Sequence, residues 1–265
     1  MGSCNSGGKG GAIGIGISSA TLQPQTNNSP QVDNTQVASA FSADYNKFMS
    51  MTDDEKANFI STNIKTSVPD HLADNSFQRF LYNSQITDRP DLVDDATLDT
   101  MTGTEIFRTV NYVDKRHNPK NIGYTAPQIA NQVMKGNDTR VSDTGGSAYG
   151  RGIYFADSYS HSTNQYGDTR GNVKATAVMR AKLNNNAKII SSDKAKSGAS
   201  REIASGSKLG RALAKCDIQS RPSIYAMSKG FNVISANNGT GYYNILNRNA
   251  ITMSKDIKAK GSSWK

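Results

Sequence analysis

Residues 145–167, GGSAYGRGIYFADSYSHSTNQYG, constrain this chain more than any other stretch. Four glycines, Gly145, Gly146, Gly150 and Gly152, precede a short apolar run, Ile153-Tyr154-Phe155-Ala156. A run of that length bounded by turn residues reads as a strand. Glycines ahead of it let another group approach bare backbone, because no Cβ intervenes. The polar stretch from Asp157 to Tyr166 reads as a helix, with Asp157 or Ser158 placed to accept the free amide hydrogens of its first turn. Tyr154, in the middle of the strand, would offer a flat ligand an aromatic face beside open backbone. The same pattern also serves as a plain turn into a core strand, so the residues alone leave both readings standing.

A second strand is expected at residues 104–110, where Ile106 and Val110 are apolar and stand among β-branched neighbours. It carries Arg108, whose forked donors suit an anionic group. Further strands are expected at 172–183, 187–190, 231–234 and 242–251, and helices at 127–135, 208–215 and 223–229. Before all of these the chain reads as helical: apolar residues recur at helical spacing from Val37 to Met51, and Thr52-Asp53-Asp54-Glu55 is a capping-box signature opening a helix to about residue 62. Phe77, Phe80 and Leu81 mark another helix at 76–84. Residues 1–35, rich in Gly, Ser, Asn and Gln, read as a disordered tail. The small stretch Ala12–Ile17 alternates with glycine and suits strand addition to a partner.

Charge divides the chain. Residues 1–100 hold six Lys/Arg against twelve Asp/Glu, and the rest hold 25 against ten. A basic second half suits an anionic ligand such as a dinucleotide, with a nucleic-acid surface as the lesser alternative, since no dense basic run interleaves with aromatics. Cys4 and Cys216 lie far apart in dissimilar surroundings, which argues against a disulfide framework or a zinc site and for a reducing compartment. His71 and His117 each stand isolated from any metal or catalytic partner in sequence. No run of about 18 apolar residues is present, so no transmembrane helix is expected, and no secretory signal is read at the start.

The segment Gly150-Arg151-Gly152-Ile153-Tyr154-Phe155-Ala156-Asp157, followed by Ser160 and Tyr166-Gly167, resembles the middle motif of the ADP-ribosyltransferase superfamily. It is similar to the signature of poly-ADP-ribose polymerases and closer still to bacterial and phage-encoded mono-ADP-ribosyltransferase domains. Phe107-Arg108-Thr109 is similar to the aromatic-Arg-small strand of the arginine-type enzymes. The order Ala181-Lys182-Leu183 then Ala187-Lys188-Ile189-Ile190, and the tyrosine-rich strand leading to Asn247-Arg248, also resemble that family. The resemblance implies an α+β fold: a pair of packed antiparallel sheets with flanking helices over residues 101–258, behind a helical acidic segment at 36–100, with 259–265 as a tail.

The resemblance further implies transfer of ADP-ribose from NAD to a macromolecular acceptor, a protein before a nucleic acid. Arg108 and Thr109 would hold NAD, Tyr154 would stack on the nicotinamide, Gly150 and Gly152 would shape the pocket, and Ser160 and Tyr166 would complete it. Cleavage passes through an oxocarbenium-like state that a carboxylate stabilises. The family supplies it from a late Glu, often in Glu-x-Glu. This chain has only Glu55, Glu105 and Glu202, and Tyr242, Tyr243 or Asn244 stands at the family's position. Glu202 is therefore the catalytic candidate, with a surface role as the alternative. The missing late Glu also leaves a rival: a catalytically inactive NAD-binding or structural phage or host-interaction protein on the same fold. The expected location is host cytoplasm or virion. Met1-Gly2-Ser3-Cys4 matches an N-myristoylation pattern, a coincidence in a bacterial or phage chain, so lipid anchoring at Gly2 or Cys4 is not expected.

Overall fold

In a computed structural model of the chain, Thr52 and Glu55 close a reciprocal cap. The Thr52 amide donates to Glu55 Oε2 at 2.8 Å and the Glu55 amide donates to Thr52 Oγ1 at 3.3 Å, so two amides that a helix start leaves unpaired find acceptors. Helix α1 (Asp53–Lys65) follows and buries Ala57, Ile60 and Ile64. Helix α2 (Ser76–Ser84) buries Phe77, Phe80 and Leu81. The structure describes residues 45–65, 75–84, 86, 91–111, 128, 130–131, 149–166, 176–236 and 241–261. The expected tail at 1–35 and most of the expected helix at 127–135 lie outside them.

Both helices pack into one apolar core with α5 (Ser192–Ala204), α6 (Lys208–Ala214) and α7 (Arg221–Ser228), through Phe48, Ala195, Leu209, Leu213, Ile224 and Met227. Charge follows the same contact. Asp53 pairs with Lys229 at 2.7 Å and Asp54 with Lys208 at 2.6 Å, so the acidic segment meets cations of the basic half.

Nine strands are described: β1 (Asp91–Val93), β2 (Glu105–Asn111), β3 (Ile153–Ala156), β4 (Thr176–Leu183), β5 (Ile189–Ser191), β6 (Val233–Ser235), β7 (Tyr242–Ile245), β8 (Ile251–Ser254) and β9 (Lys258–Ala259). They follow the order β1-β8-β4-β2-β3-β7-β6-β5, with β9 also on β4. The path has a weak point: β2 pairs with β4 over seven residues but with β3 only at Phe107↔Ala156. That single pair divides the strands into two halves. A second core fills between them, with Ile106, Val110, Met179 and Met253 from one half against Ile153, Phe155, Val233 and Ile245 from the other. On its opposite face the β5–β6 end contributes Ile190 and Ile234 to the helical core.

The expected pair of packed antiparallel sheets is met only in part. The halves are joined in one hydrogen-bonded path, and both ends of it are parallel pairs, β1 with β8 and β5 with β6. The mixed α+β class stands.

One local expectation also changes, and two elements are present that the sequence did not announce. The expected strand at 242–251 is two strands, because Asn247 Oδ1 accepts from the Asn249 amide at 3.2 Å and turns residues 248–250 into a 3-10 helix. Residues 192–204 form α5, opened by Ser191 as cap. Its buried positions are Ser192, Ala195, Gly198 and Ala199, too small to register as an apolar face. Strand β1 was not expected; it is a three-residue edge paired on β8.

Helix α3 (Asp95–Thr100), capped by Asp94 through the Thr97 amide at 2.7 Å, brings Asp95 and Asp99 to Arg180 of β4. Glu105 of β2 completes the ring of carboxylates around that buried guanidinium. Burial alone would lower the Arg180 pKa, but hydrogen bonds to Asp99 and Glu105 hold it above its ordinary value.

Candidate functional site

Strand pairing dictates which side chains meet at the glycine-rich turn. Side chains alternate along a strand, so Ile106, Arg108 and Val110 share one face of β2 while Phe107 and Thr109 share the other. Arg108 Nη1 donates to the Tyr154 main-chain carbonyl at 2.7 Å, at the split between the sheet halves. Thr109 points away from Arg108. Its hydroxyl is buried and lies 2.8 Å from Ser162 Oγ of α4 (Tyr159–Tyr166), which packs on β2, and the Phe107 and Tyr159 rings meet edge to face.

The two glycines are required by the protein's own packing. Gly150 has φ +94°, and a Cβ there would lie 2.5 Å from Ser223 Oγ. Gly152 has φ +158°, and its Cβ would fall 1.9 Å from Asn244 Oδ1. The groups that approach bare backbone are thus Ser223 of α7 and Asn244 of β7. Both hold the turn in place. Asn244 Nδ2 donates to the carbonyls of Tyr149 and Arg151, each at 3.2 Å, and Ser223 Oγ donates to the Arg151 carbonyl at 2.5 Å. The Tyr154 hydroxyl closes the loop, donating to the Gly150 carbonyl at 2.5 Å and accepting from the Tyr149 amide at 3.2 Å.

The helix after β3 is capped by Ser158, whose Oγ accepts from the His161 amide at 3.2 Å. Ser160 is exposed, 3.5 Å from Ser158 Oγ, and Tyr166 is the last residue of α4. Glu202 accepts from Ser207 Oγ, the α6 cap, at 2.6 Å and lies 3.6 Å from Lys229. None of its described partners is shared with Arg108 or Tyr154. Burial would lower the Lys229 pKa, yet the Asp53 hydrogen bond and the Glu202 charge raise it. Glu202 therefore works as a brace between α5, α6 and α7.

Residues the sequence reading left unassigned complete the site. Asp157 does not cap the helix; its Oδ1 lies 3.1 Å from His161 Nδ1. The His161 ring rests on Tyr242 at 4.4 Å between centroids, Tyr242 stacks on Tyr149 at 6.4 Å, and Tyr149 meets Tyr154 at 6.4 Å. Lys196 Nζ of α5 sits 5.8 Å from the Tyr149 centroid, within cation–π range. The signal for the Asp157–His161 pair was available in the i, i+4 spacing on a helix start. The signal for the aromatic row was not, because Tyr242 comes from a separate, distant stretch of the chain.

Among the described residues no group of His, Cys, Asp and Glu side chains is arranged to hold a metal ion, and no helix is long and apolar enough to cross a membrane. Comparisons with family models, with curated proteins and with solved structures find no match.

Proposed function

We propose that this chain binds NAD at the split between its sheet halves and transfers ADP-ribose to a macromolecular acceptor. The observation that carries the reading is the Arg108–Tyr154 hydrogen bond, which joins the two residues that the resemblance assigns to the dinucleotide. The aromatic row beside it and Lys196 over Tyr149 supply flat surface and positive charge, the chemistry a nicotinamide dinucleotide asks for. The test is nicotinamide release and NAD binding by the purified chain, with Arg108→Ala and Tyr154→Phe alongside. Release that both substitutions abolish is the expected result. Absence of both release and binding sinks the reading.

A second reading rests on Glu202. Its carboxylate is engaged by Ser207 and Lys229, which favours a protein that binds NAD without turnover. NAD binding without release, lost in Arg108→Ala, would select it.

A further inference from the structure

We infer that the Asp157–His161 pair is the proton-accepting element of this site; the inference rests on the NAD reading above. Tyr154 faces Asn244 across β3 and β7, and Ala156 faces Tyr242. Tyr154 and Tyr242 are therefore diagonal cross-strand neighbours on one face, about 7–8 Å apart at Cβ. His161 lies one ring beyond Tyr242. We take the reacting ribose to lie along this row, beside a nicotinamide on Tyr154. The structure sets a carboxylate–imidazole pair against Tyr242.

The pair is built as an oriented base. A carboxylate only accepts hydrogen bonds, so the neutral imidazole carries its hydrogen on Nδ1, toward Asp157, and presents the Nε2 lone pair. Nε2 has no hydrogen-bond partner among the described residues. Asp157 is itself fixed: its amide donates to the Gly241 carbonyl at 2.7 Å, and Gly241, at φ +65°, brings its backbone so close that a Cβ would lie 2.1 Å from Asp157 Oδ2. Nε2 takes the proton of an incoming water or acceptor hydroxyl as its oxygen bonds to the ribose C1′. The C1′–nicotinamide bond breaks, its electron pair goes to the nicotinamide nitrogen, and Asp157 stays ionised beside the imidazolium.

The experiment compares the full chain with His161→Gln, Asp157→Asn and His161→Gly, measuring NAD affinity by calorimetry, nicotinamide release, and folding by thermal melting. The His161 side chain is a quarter exposed, so the folded state should tolerate each change. The expected result is NAD affinity within about threefold of the parent and release slowed about 100-fold or more. Added imidazole should restore release in His161→Gly, which loss of a merely structural side chain would not allow. Release at the parent rate in His161→Gln overturns the inference and leaves the NAD reading intact. Binding without any release in the parent also overturns it, and failure to bind NAD removes both.

Discussion

Arg108 Nη1 and the Tyr154 carbonyl are 2.7 Å apart beside the one residue pair where β2 and β3 join. The guanidinium thus spans the place where the ladder between the sheet halves is shortest. Arg108→Ala removes a charged donor and leaves the carbonyl to find water. Expected is a loss of about 1.5–3 kcal/mol of unfolding free energy, as for hydrogen bonds to charged groups, read by urea denaturation. Arg108→Lys should recover part of the stability but not the dinucleotide affinity, because an ammonium cannot reproduce the planar fork. Equal stability in all three proteins would show that the bond contributes nothing.

Gly152 and Gly206 make a matched pair for the second prediction. Both have positive φ, but a Cβ at Gly152 strikes Asn244 while one at Gly206 meets nothing within 4 Å. Gly206→Ala should cost only backbone strain, about 1–2 kcal/mol. Gly152→Ala adds a collision with a fixed side chain, for a total of about 2–4 kcal/mol. It should also free the turn that Asn244 holds and weaken ligand binding. Chemical denaturation of the two variants in parallel measures the difference.

Local signals carried the sequence reading as far as they reached. Thr52 and Glu55 announced α1 because a capping box spans only four residues, and Ile153–Ala156 announced β3 because turn residues bound it. The α5 helix was hidden because it packs through Ala195, Gly198 and Ala199, with Gly198 lying under the Tyr225 ring. No apolar periodicity records a face built on small residues. In the site, Arg108 and Tyr154 were legible from their motifs. The purpose of Gly150 and Gly152 was not, because the groups that crowd them, Ser223 and Asn244, arrive from 70 and more residues away. Nothing local to Glu202 announces its contacts with Ser207 and Lys229, which arise only once α5, α6 and α7 are packed.

Acid sensitivity should trace in part to the α1 cap. The Thr52 amide, first, and the Thr52 hydroxyl hold the Glu55 carboxyl below its ordinary pKa. The native state therefore favours the ionised form. That contribution is complete above the ordinary glutamate range and is lost as pH falls through the lowered native value. Glu55→Gln should melt at a lower temperature than the parent at pH 7, and the two curves should converge in acid. A difference that persists unchanged at pH 2 to 3 would mean that the carboxylate charge plays no part.

Cys216 gives the opposite edge of the pH range. Burial, and then the neighbouring Asp217 charge, push its thiol up to about 12. A thiolate is the reactive form, so in a Cys4→Ser background the native chain should leave a disulfide reagent unreacted at pH 8 and react fully in urea. Linkage fixes the sign of the stability effect. The unfolded thiol ionises near 9, so the contribution is whole below that pH and is lost as pH rises toward 12. Cys216→Ala, which cannot ionise, should lose less stability than the Cys4→Ser parent between pH 9 and 11 in urea titrations. Parallel curves for the two proteins would show that the buried thiol ionises as readily when folded as when unfolded.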